Sequence, residues 1–448
     1  MPTTIVAIAT PPGFGGIGVV RVSGPKVKEV AIAILGLIPP PRYATLKSFI
    51  DNKQQIIDQG LAIFFPAPNS FTGEDILELH GHGGPVVLDL ILQRILELGA
   101  KLARPGEFTE RAYLAGKLDL AQAEAIADLI SSSTVSAAKA SIRTLQGVLS
   151  QKIYQLKDQL LELRLYVEGA LDFADEDIDW LNAGKLIERL QKLIEDHQQL
   201  LRQAQQGRLL RDGLNLVIAG APNAGKSSLL NALTGKDAAI VTPIAGTTRD
   251  LLKEYMQIDG MPLHIIDTAG IHTGSSDLVE REGIRRAKEA INQADRVLWV
   301  FDDYTDPQHQ ALNQAQLPAN VPFTFIRNKI DLTGSYPGIN NYGDQIEVAI
   351  SAATGVGLDV LRQHLKNCVG FSANEGDFIA HRRHLNAIEQ AVTNLQAAYR
   401  LLIDLHQNSI EIIAEELRQA QHAIGQITGE VTSEDLLAEI FAKFCIGK

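Results

Sequence analysis

Apolar and polar positions change their rhythm three times along the chain. From Met1 to about Leu118, short apolar runs ("TIVAIA", "GVVRVS", "LAIFF", "DILELHG") alternate with Gly- and Pro-rich turns, and each run predicts a strand. From about Asp119 to Gln206, Leu, Ile and Ala recur at spacings of three and four in "LAQAEAIADLI", "GVLSQKIYQLKDQLLELRLYVEGAL" and "KLIERLQKLIEDHQQLL". That spacing predicts long amphipathic helices. From Leu214 to Val369 strand and helix patterns alternate, as in a mostly parallel sheet. After "GFSANEGD", read as a linker, helical spacing resumes. The last helix opens with "TSEDLL", where Thr432 and Asp435 have the spacing of a capping box.

This order predicts an α/β module inserted into a helical domain, because neither flanking set of helices can bury its apolar face alone. The expected division is 1–118 (α+β), 119–210 (helical, first part), 211–372 (α/β) and 373–448 (helical, second part). Two separate helical domains are the alternative. With 45% hydrophobic and 21% charged residues, each part can bury an ordinary core. A net charge of −12 argues against a general nucleic-acid coat or a membrane-surface protein, though a local basic patch for RNA stays compatible with it. The only cysteines, Cys368 and Cys445, stand far apart, which disfavours a disulfide framework. Cys445 reads as a small hydrophobe before a reactive thiol. The sequence holds no 18-residue apolar run and no leader-like N-terminus, so the expected address is cytoplasmic, with no membrane partner.

The chemistry concentrates in the α/β segment. "LNLVIAGAPNAGKSSLLNAL" carries G-x-x-x-x-G-K-S at Gly220, Gly225, Lys226 and Ser227, after an apolar strand and before a helix read from Ser228 onward. There Asn223, Ala224, Gly225, Lys226, Ser227 and Ser228 offer backbone N–H groups, an ammonium and hydroxyls to phosphates and Mg²⁺. "GTTRD" adds Thr247 and Thr248, and "PLHIIDTAG" adds Asp267 and Gly270. "FTFIRNKID" ends in Asn328, Lys329 and Asp331. A carboxylate at Asp331 accepts from guanine N1–H and N2–H₂, a donor pair adenine lacks. Ser351, Ala352 and Ala353 in "AISAATG" fit the loop behind the base. Together these pieces resemble the Ras-like GTPase superfamily, which implies a Ras-like P-loop GTPase domain with GTP as substrate and Mg²⁺ held by Ser227 and Thr248.

One position departs from that pattern. After "DTAG" stands Ile271, where Ras-like GTPases usually carry a glutamine that orients the attacking water. Resemblance to the potassium-activated branch implies that Asn223, with Thr242, Ile244 and Thr247 of "VTPIAGTT", holds K⁺. Such an ion can supply part of the roughly 10³–10⁵-fold effect of an arginine finger. Glu280 in "LVEREG" is the candidate to hold the water, and Glu282 competes for that role. Catalysis is therefore expected from Glu280, Asn223 and Lys226. The blander readings are that Asn223 only shapes the loop and that Glu280 is a solvated helix residue.

The flanks extend the resemblance. "ATPPGFGGIGVVRVSG", "FPAPNSFTGEDILELHGHGGP", "ARPGEFTERAYLAGKLDLAQAEAIADLI" and the terminal "FCIGK" resemble the MnmE (TrmE) family of tRNA-modification GTPases over essentially the whole chain. The resemblance implies an N-terminal folate-binding and dimerisation domain, then a helical domain with the GTPase inserted. It also implies a homodimer that joins an FAD-dependent partner, MnmG (GidA), in a heterotetramer. That assembly places an aminomethyl-type group on C5 of the wobble uridine of certain tRNAs. The one-carbon donor is 5-formyl- or 5,10-methylene-tetrahydrofolate, and its contacts fall on Arg21, Glu78, Lys117 and Lys448. Cations suit the folate carboxylates and a carboxylate suits the donor edge of the pterin.

Two motifs are declined. "GFGGIG" (Gly13, Gly15, Gly18) matches a dinucleotide fingerprint, but a strand-like run follows it where a helix is required. "HGHGG" offers His80 and His82 without a third metal ligand nearby, and a turn leading to a helix begun by Pro85 explains it better. The compact basic cluster "HRRH" (His381 to His384) is either an RNA contact or a solvated helix start. The rival to the modification reading is a regulatory or ribosome-assembly GTPase switch with no modification chemistry. A second rival is a GTP-driven scaffold whose partner does all the carbon chemistry.

Overall fold

The computed structural model describes residues 3–172, 183–234, 253–267, 289, 291–292, 294–306, 321–342, 345–371, 378–403, 410–430, 433–445 and 447. Its contacts divide into two compact units. The first comprises Met1–Ala127, Thr144–His197 and Ala387–Lys448, and the second Asp128–Arg143 and Gln198–Asn386. The main segment of the second unit thus lies between stretches of the first in sequence, the pattern expected of an insertion.

In chain order the elements begin β1 (Ile5–Ile8), β2 (Gly15–Ser23), α1 (Val27–Leu35), β3 (Thr45–Ile50), β4 (Ile56–Phe65), β5 (Ile76–Gly83), α2 (Pro85–Glu97), β6 (Lys101–Leu102) and α3 (Glu107–Leu114). The long helical stretch is α4 (Leu120–Ser131), α5 (Val135–Leu145), α6 (Val148–Asp172) and α7 (Ala183–Asp212). The α/β segment follows as β7 (Leu214–Gly220), α8 (Lys226–Thr234), β8 (Lys253–Ile258), β9 (Met261–Asp267), β10 (Arg296–Asp302), β11 (Phe323–Asn328), α9 (Ile330–Thr333), β12 (Gly338–Tyr342), β13 (Gln345–Ala349) and α10 (Leu358–Cys368). The described chain ends with α11 (Arg382–Ile403), α12 (Ile410–Gly425) and α13 (Glu434–Ala442).

The first unit is built on a six-stranded sheet of order β3-β4-β5-β2-β1-β6. Alternation explains it: Val20 and Val22 of β2, Ala62 and Phe64 of β4, and Leu77 and Leu79 of β5 point to one face. There they pack with Val27, Val30 and Ile34 of α1 and Ile91 and Ile95 of α2. Helix α1 stops at Gly36, whose φ of 75° is left-handed and closes the last turn through its N–H to the Ile32 carbonyl. Pro85 starts α2 as expected, but β5 runs through Gly83, so the turn is shorter than "HGHGG" suggested. Of the "GFGGIG" glycines, Gly13 precedes β2 and Gly15 and Gly18 lie within it, in agreement with the strand-like run. Helices α6 and α12 lie side by side, with Arg164 donating to Gln421 at 2.7 Å. Tyr113, Leu120, Ala123, Ile440, Phe441 and Phe444 form a separate apolar cluster. The last helix is capped by Ser433, whose hydroxyl accepts from Leu436 N–H; Thr432, read as the start of the capping box, lies outside the described residues.

The second unit holds a seven-stranded sheet of order β12-β13-β11-β10-β7-β9-β8. The five inner strands run parallel and the two edge strands antiparallel to their neighbours. Strand β7, "LNLVIAG", is apolar on both faces because both are covered. One face packs Leu214, Leu216 and Ile218 against α8 and α10, through Leu229, Leu230, Leu361 and Leu365. No helix among the described residues is long and apolar enough to cross a membrane.

Candidate functional site

The parallel order sets the carboxyl ends of β7, β10 and β11 side by side, with Val300 opposite Gly220 and Asp302 opposite Asn328. Ligand sites of open α/β sheets form at such strand ends. The loop after β7 turns at Gly220, where φ is 139° and an added Cβ would run into the Val300 carbonyl. At Gly225, where φ is 91°, an added Cβ would run into the Asn328 amide. Only glycine fits both places, so the motif spacing is a packing requirement. Helix α8 begins at Lys226, two residues earlier than its apolar pattern suggested. Its first N–H groups face the loop, and the exposed Ser227 and Ser228 hydroxyls stand at that end. The Lys226 ammonium curls back over the loop and donates to the carbonyls of Gly220 (3.1 Å) and Ala221 (2.8 Å). The result is a backbone cradle with one cation above it, suited to phosphate oxygens.

The loop after β11 is tied to this cradle residue by residue. Asn328 is buried; its Nδ2 donates to the Ala224 carbonyl (2.9 Å) and its Oδ1 accepts from Ala352 N–H (2.9 Å). Lys329 Nζ donates to the Asn223 carbonyl (2.9 Å) and to Asp302 Oδ2 (2.7 Å). Both Asn223 (φ 63°) and Lys329 (φ 66°) are left-handed, a conformation that residues with a Cβ keep when their surroundings hold them. Ser351 is buried, and its hydroxyl accepts from Thr354 N–H at 3.2 Å, which shapes the 351–354 turn around Ala352 and the exposed Ala353. Asp331 is exposed in the first turn of α9.

Two carboxylates beside these loops escaped the sequence reading. Asp302 ends β10 and Asp303 follows it in "VFDDYT", and the two bracket the β11 loop. Asp303 accepts from Arg327 Nε (2.6 Å) and Ser335 (2.9 Å), and also from Thr333. Burial by itself would raise both carboxyls. Hydrogen bonds from Lys329 and the Tyr304 N–H to Asp302, and from Thr333, Arg327 and Ser335 to Asp303, outweigh it and hold both below the ordinary carboxylate value. The available signal was the acidic pair at the end of an apolar strand, but its partners lie some 25 residues on.

The structure thus brings together Asn223, Ala224, Gly225, Lys226, Asn328, Lys329, Ser351 and Ala352. Thr242, Ile244, Thr247, Thr248, Gly270, Ile271, Glu280 and Glu282 lie outside the described residues, and Asp267 closes β9 with its side chain outside them.

A second candidate site lies in the N-terminal sheet. Arg21 on β2 and Glu78 on β5 face each other in register, with Arg21 Nε donating to Glu78 Oε1 at 2.9 Å. The guanidinium carbon sits 5.8 Å from the centroids of both Phe71 and Phe108. His80 Nε2 lies 3.2 Å from the other Glu78 oxygen. Lys117 is exposed, close to Gly73 of the loop that carries Phe71. A half-buried guanidinium–carboxylate pair between aromatic rings suits a flat heterocycle with a donor edge. Lys448 lies outside the described residues.

Three further features resolve plainly. His82 is engaged by Asp58 (2.7 Å), and no group of three His, Cys, Asp or Glu among the described residues could hold a metal. Cys445 is exposed, not buried. In "HRRH", His384 is buried and His381 lies 2.8 Å from Asp128, so only part of that cluster faces water.

The profile of the MnmE helical domain matches residues 120–445, and that of the GTP-binding protein TrmE N-terminus matches residues 4–117. The tRNA modification GTPase MnmE of Proteus mirabilis (strain HI4320) is 55% identical over 452 residues, 99% of this chain and 99% of that one. The protein of the same description from Yersinia pseudotuberculosis (strain PB1/+) gives the same values. Among solved structures, Aquifex aeolicus Era bound to GDP and AlF4⁻ is 27% identical, covering 40% of this chain and 66% of that one with a TM-score of 0.26. The FeoB G-domain from Methanococcus jannaschii is 23% identical, with 35% and 98% covered and a TM-score of 0.26.

Proposed function

Because the chain belongs to the MnmE family of tRNA modification GTPases, we propose that it hydrolyses GTP with help from potassium and couples turnover to wobble-uridine modification. Hydrolysis of GTP in the service of tRNA modification is the family's activity. The finer reading concerns how the charge and the water are handled when Ile271 replaces the usual glutamine.

The observation that carries it is the state of Asn223. This residue is exposed at the lip of the phosphate cradle, held left-handed by the bond from Lys329 to its carbonyl. Its side-chain oxygen suits a monovalent cation beside phosphates, with Thr242, Ile244 and Thr247 as the further ligands in this reading. Ser227, exposed where α8 starts, would hold Mg²⁺ together with Thr248. Bound there, the two cations would neutralise the charge that develops as phosphate leaves. Lys226 positions the β- and γ-phosphates, and Glu280 orients the water through a second water.

In the same reading, Arg21 and Glu78 hold the pterin of a tetrahydrofolate while Lys117 and Lys448 meet its carboxylates. When bound there, the folate would supply the one-carbon unit. The chain works as a cytoplasmic homodimer through its 1–118 domain, with 119–210 and 373–448 forming the helical domain around a GTPase domain at 211–372. The FAD-dependent partner MnmG completes the assembly that installs the aminomethyl-type group on C5 of the uridine. No observation favours the pure-switch or scaffold alternative. GTP turnover in K⁺ and in Na⁺ at matched ionic strength tests the cation: at least a tenfold advantage for K⁺ is expected, and equal rates would sink it. Nucleoside mass spectrometry of tRNA from a strain lacking the gene tests the modification, which must then be missing from the wobble uridine.

A further inference from the structure

Asp302 has no counterpart in the nucleotide-contacting set, yet it stands between the two loops that grip a nucleotide. Strand β10 lies between β7 and β11, and Asp302 is its last residue, opposite Asn328. The carboxylate is aimed from both sides. Oδ1 accepts from Tyr304 N–H at 3.0 Å, and Oδ2 accepts from Lys329 Nζ at 2.7 Å. That same ammonium donates onward to the Asn223 carbonyl at 2.9 Å. Its side chain is about one-third exposed (32%), so without the carboxylate it has room to swing toward water.

We propose that Asp302 is a positioning residue for the nucleotide: it fixes the Lys329 ammonium against the Asn223 carbonyl and so sets the distance between the base-reading loop and the phosphate cradle. Two left-handed residues, Asn223 and Lys329, meet at this one contact. Each occupies a backbone region that a residue with a Cβ keeps only where neighbours hold it. Lys329 supplies that restraint to the cradle, and Asp302 supplies it to Lys329. The neighbouring Asp303 holds Arg327 and the 333–335 turn instead, so the two adjacent carboxylates have separate duties. A nucleotide that spans the two loops binds best when their spacing is set before it arrives, because the ordering cost is then already met. The inference needs GTP binding alone and stands whichever cation assists hydrolysis.

The test is a double-mutant cycle on the full-length chain, read by titration with fluorescent GDP and fluorescent GTP. Asp302→Asn is expected to weaken both nucleotides about tenfold. Lys329→Ala is expected to weaken them at least as much. In the double variant the losses must not add: affinity should stay within about twofold of Lys329→Ala alone, since Asp302 acts only through that side chain. The preference for GTP over ITP should not change, because Asp331 remains in place. Circular dichroism checks folding first; if Asp302→Asn unfolds, the same cycle is run with Asp302→Glu, which keeps the charge and moves it by one methylene. Additive losses, unaltered affinity in the single variant, or a collapsed GTP/ITP preference would each overturn the proposal.

Discussion

Asn328→Ala is the most informative perturbation of the α/β unit, because one buried amide satisfies two buried backbone groups on different loops. Its Nδ2 serves the Ala224 carbonyl and its Oδ1 serves the Ala352 N–H, each at 2.9 Å. Asn328, Ala224 and Ala352 are 2%, 1% and 8% exposed, so water cannot readily replace either bond. Leaving a buried donor or acceptor unmade costs about 1–3 kcal/mol. Two such groups give about 2–6 kcal/mol, and partial relaxation of the exposed loops argues for the lower half, about 3 kcal/mol. If most of that is stored in the loop geometry that binds nucleotide, affinity falls by about two powers of ten, since 1.4 kcal/mol is tenfold. The assay pairs urea unfolding of the nucleotide-free protein with a GDP titration. Asn328→Asp separates the two bonds: it still accepts from Ala352 N–H but sets a carboxylate against the Ala224 carbonyl. The aspartate variant should therefore bind GDP no better than the alanine one. A stability change below about 1 kcal/mol together with GDP affinity within threefold of the parent chain would refute this account.

Three other outcomes are expected. Gly220→Ala should cost at least about 3 kcal/mol and abolish nucleotide binding, because φ is 139° and the new Cβ would also lie 2.9 Å from the Val300 nitrogen; a soluble variant with an unshifted thermal midpoint would contradict it. Arg21→Ala leaves Glu78 without its guanidinium partner and should weaken 5-formyl-tetrahydrofolate at least tenfold by titration, with Arg21→Lys intermediate; unaltered binding would remove this pair from the folate site. Finally, His197 is fully buried, donates from Nδ1 to the Leu193 carbonyl at 2.7 Å, and leaves Nε2 without a partner. Burial pushes its pKa down against the opposing pull of Leu193 and Asp196, so the unfolded chain takes up a proton first. Stability is then complete above the unfolded value of about 6.5 and is lost as pH falls below it toward the lowered folded value. Urea midpoints at pH 7.5 and 5.5 should show that slope in the parent chain and a smaller one in His197→Leu; identical slopes would exclude His197 as the source.

Much of the architecture was legible because its signals are local. Period-two runs such as "GVVRVS" and "LAIFF" became β2 and β4, and the three-four spacing after Asp119 became α4 to α7. Both follow from side-chain direction along a single element. The phosphate loop and "NKID" were recognisable for the same reason, since each loop carries its own chemistry in a few consecutive residues. Boundaries were less legible: the final helix is capped by Ser433, one of two adjacent residues with a capping hydroxyl, and β5 runs on through "HGHG" because a strand's end depends on a partner strand that the local pattern does not name.

What the chain alone determined, then, is the phosphate-loop and "NKID" motifs, with the charges, hydroxyls and glycines they carry. Tertiary structure decided who holds them. Asp302 meets Lys329, Asp303 meets Arg327, and Arg21 meets Glu78 across 57 residues because strand order and register place those positions opposite one another. Register is a joint property of two distant strands, fixed by the packing of a whole sheet, so no single stretch of sequence contains it.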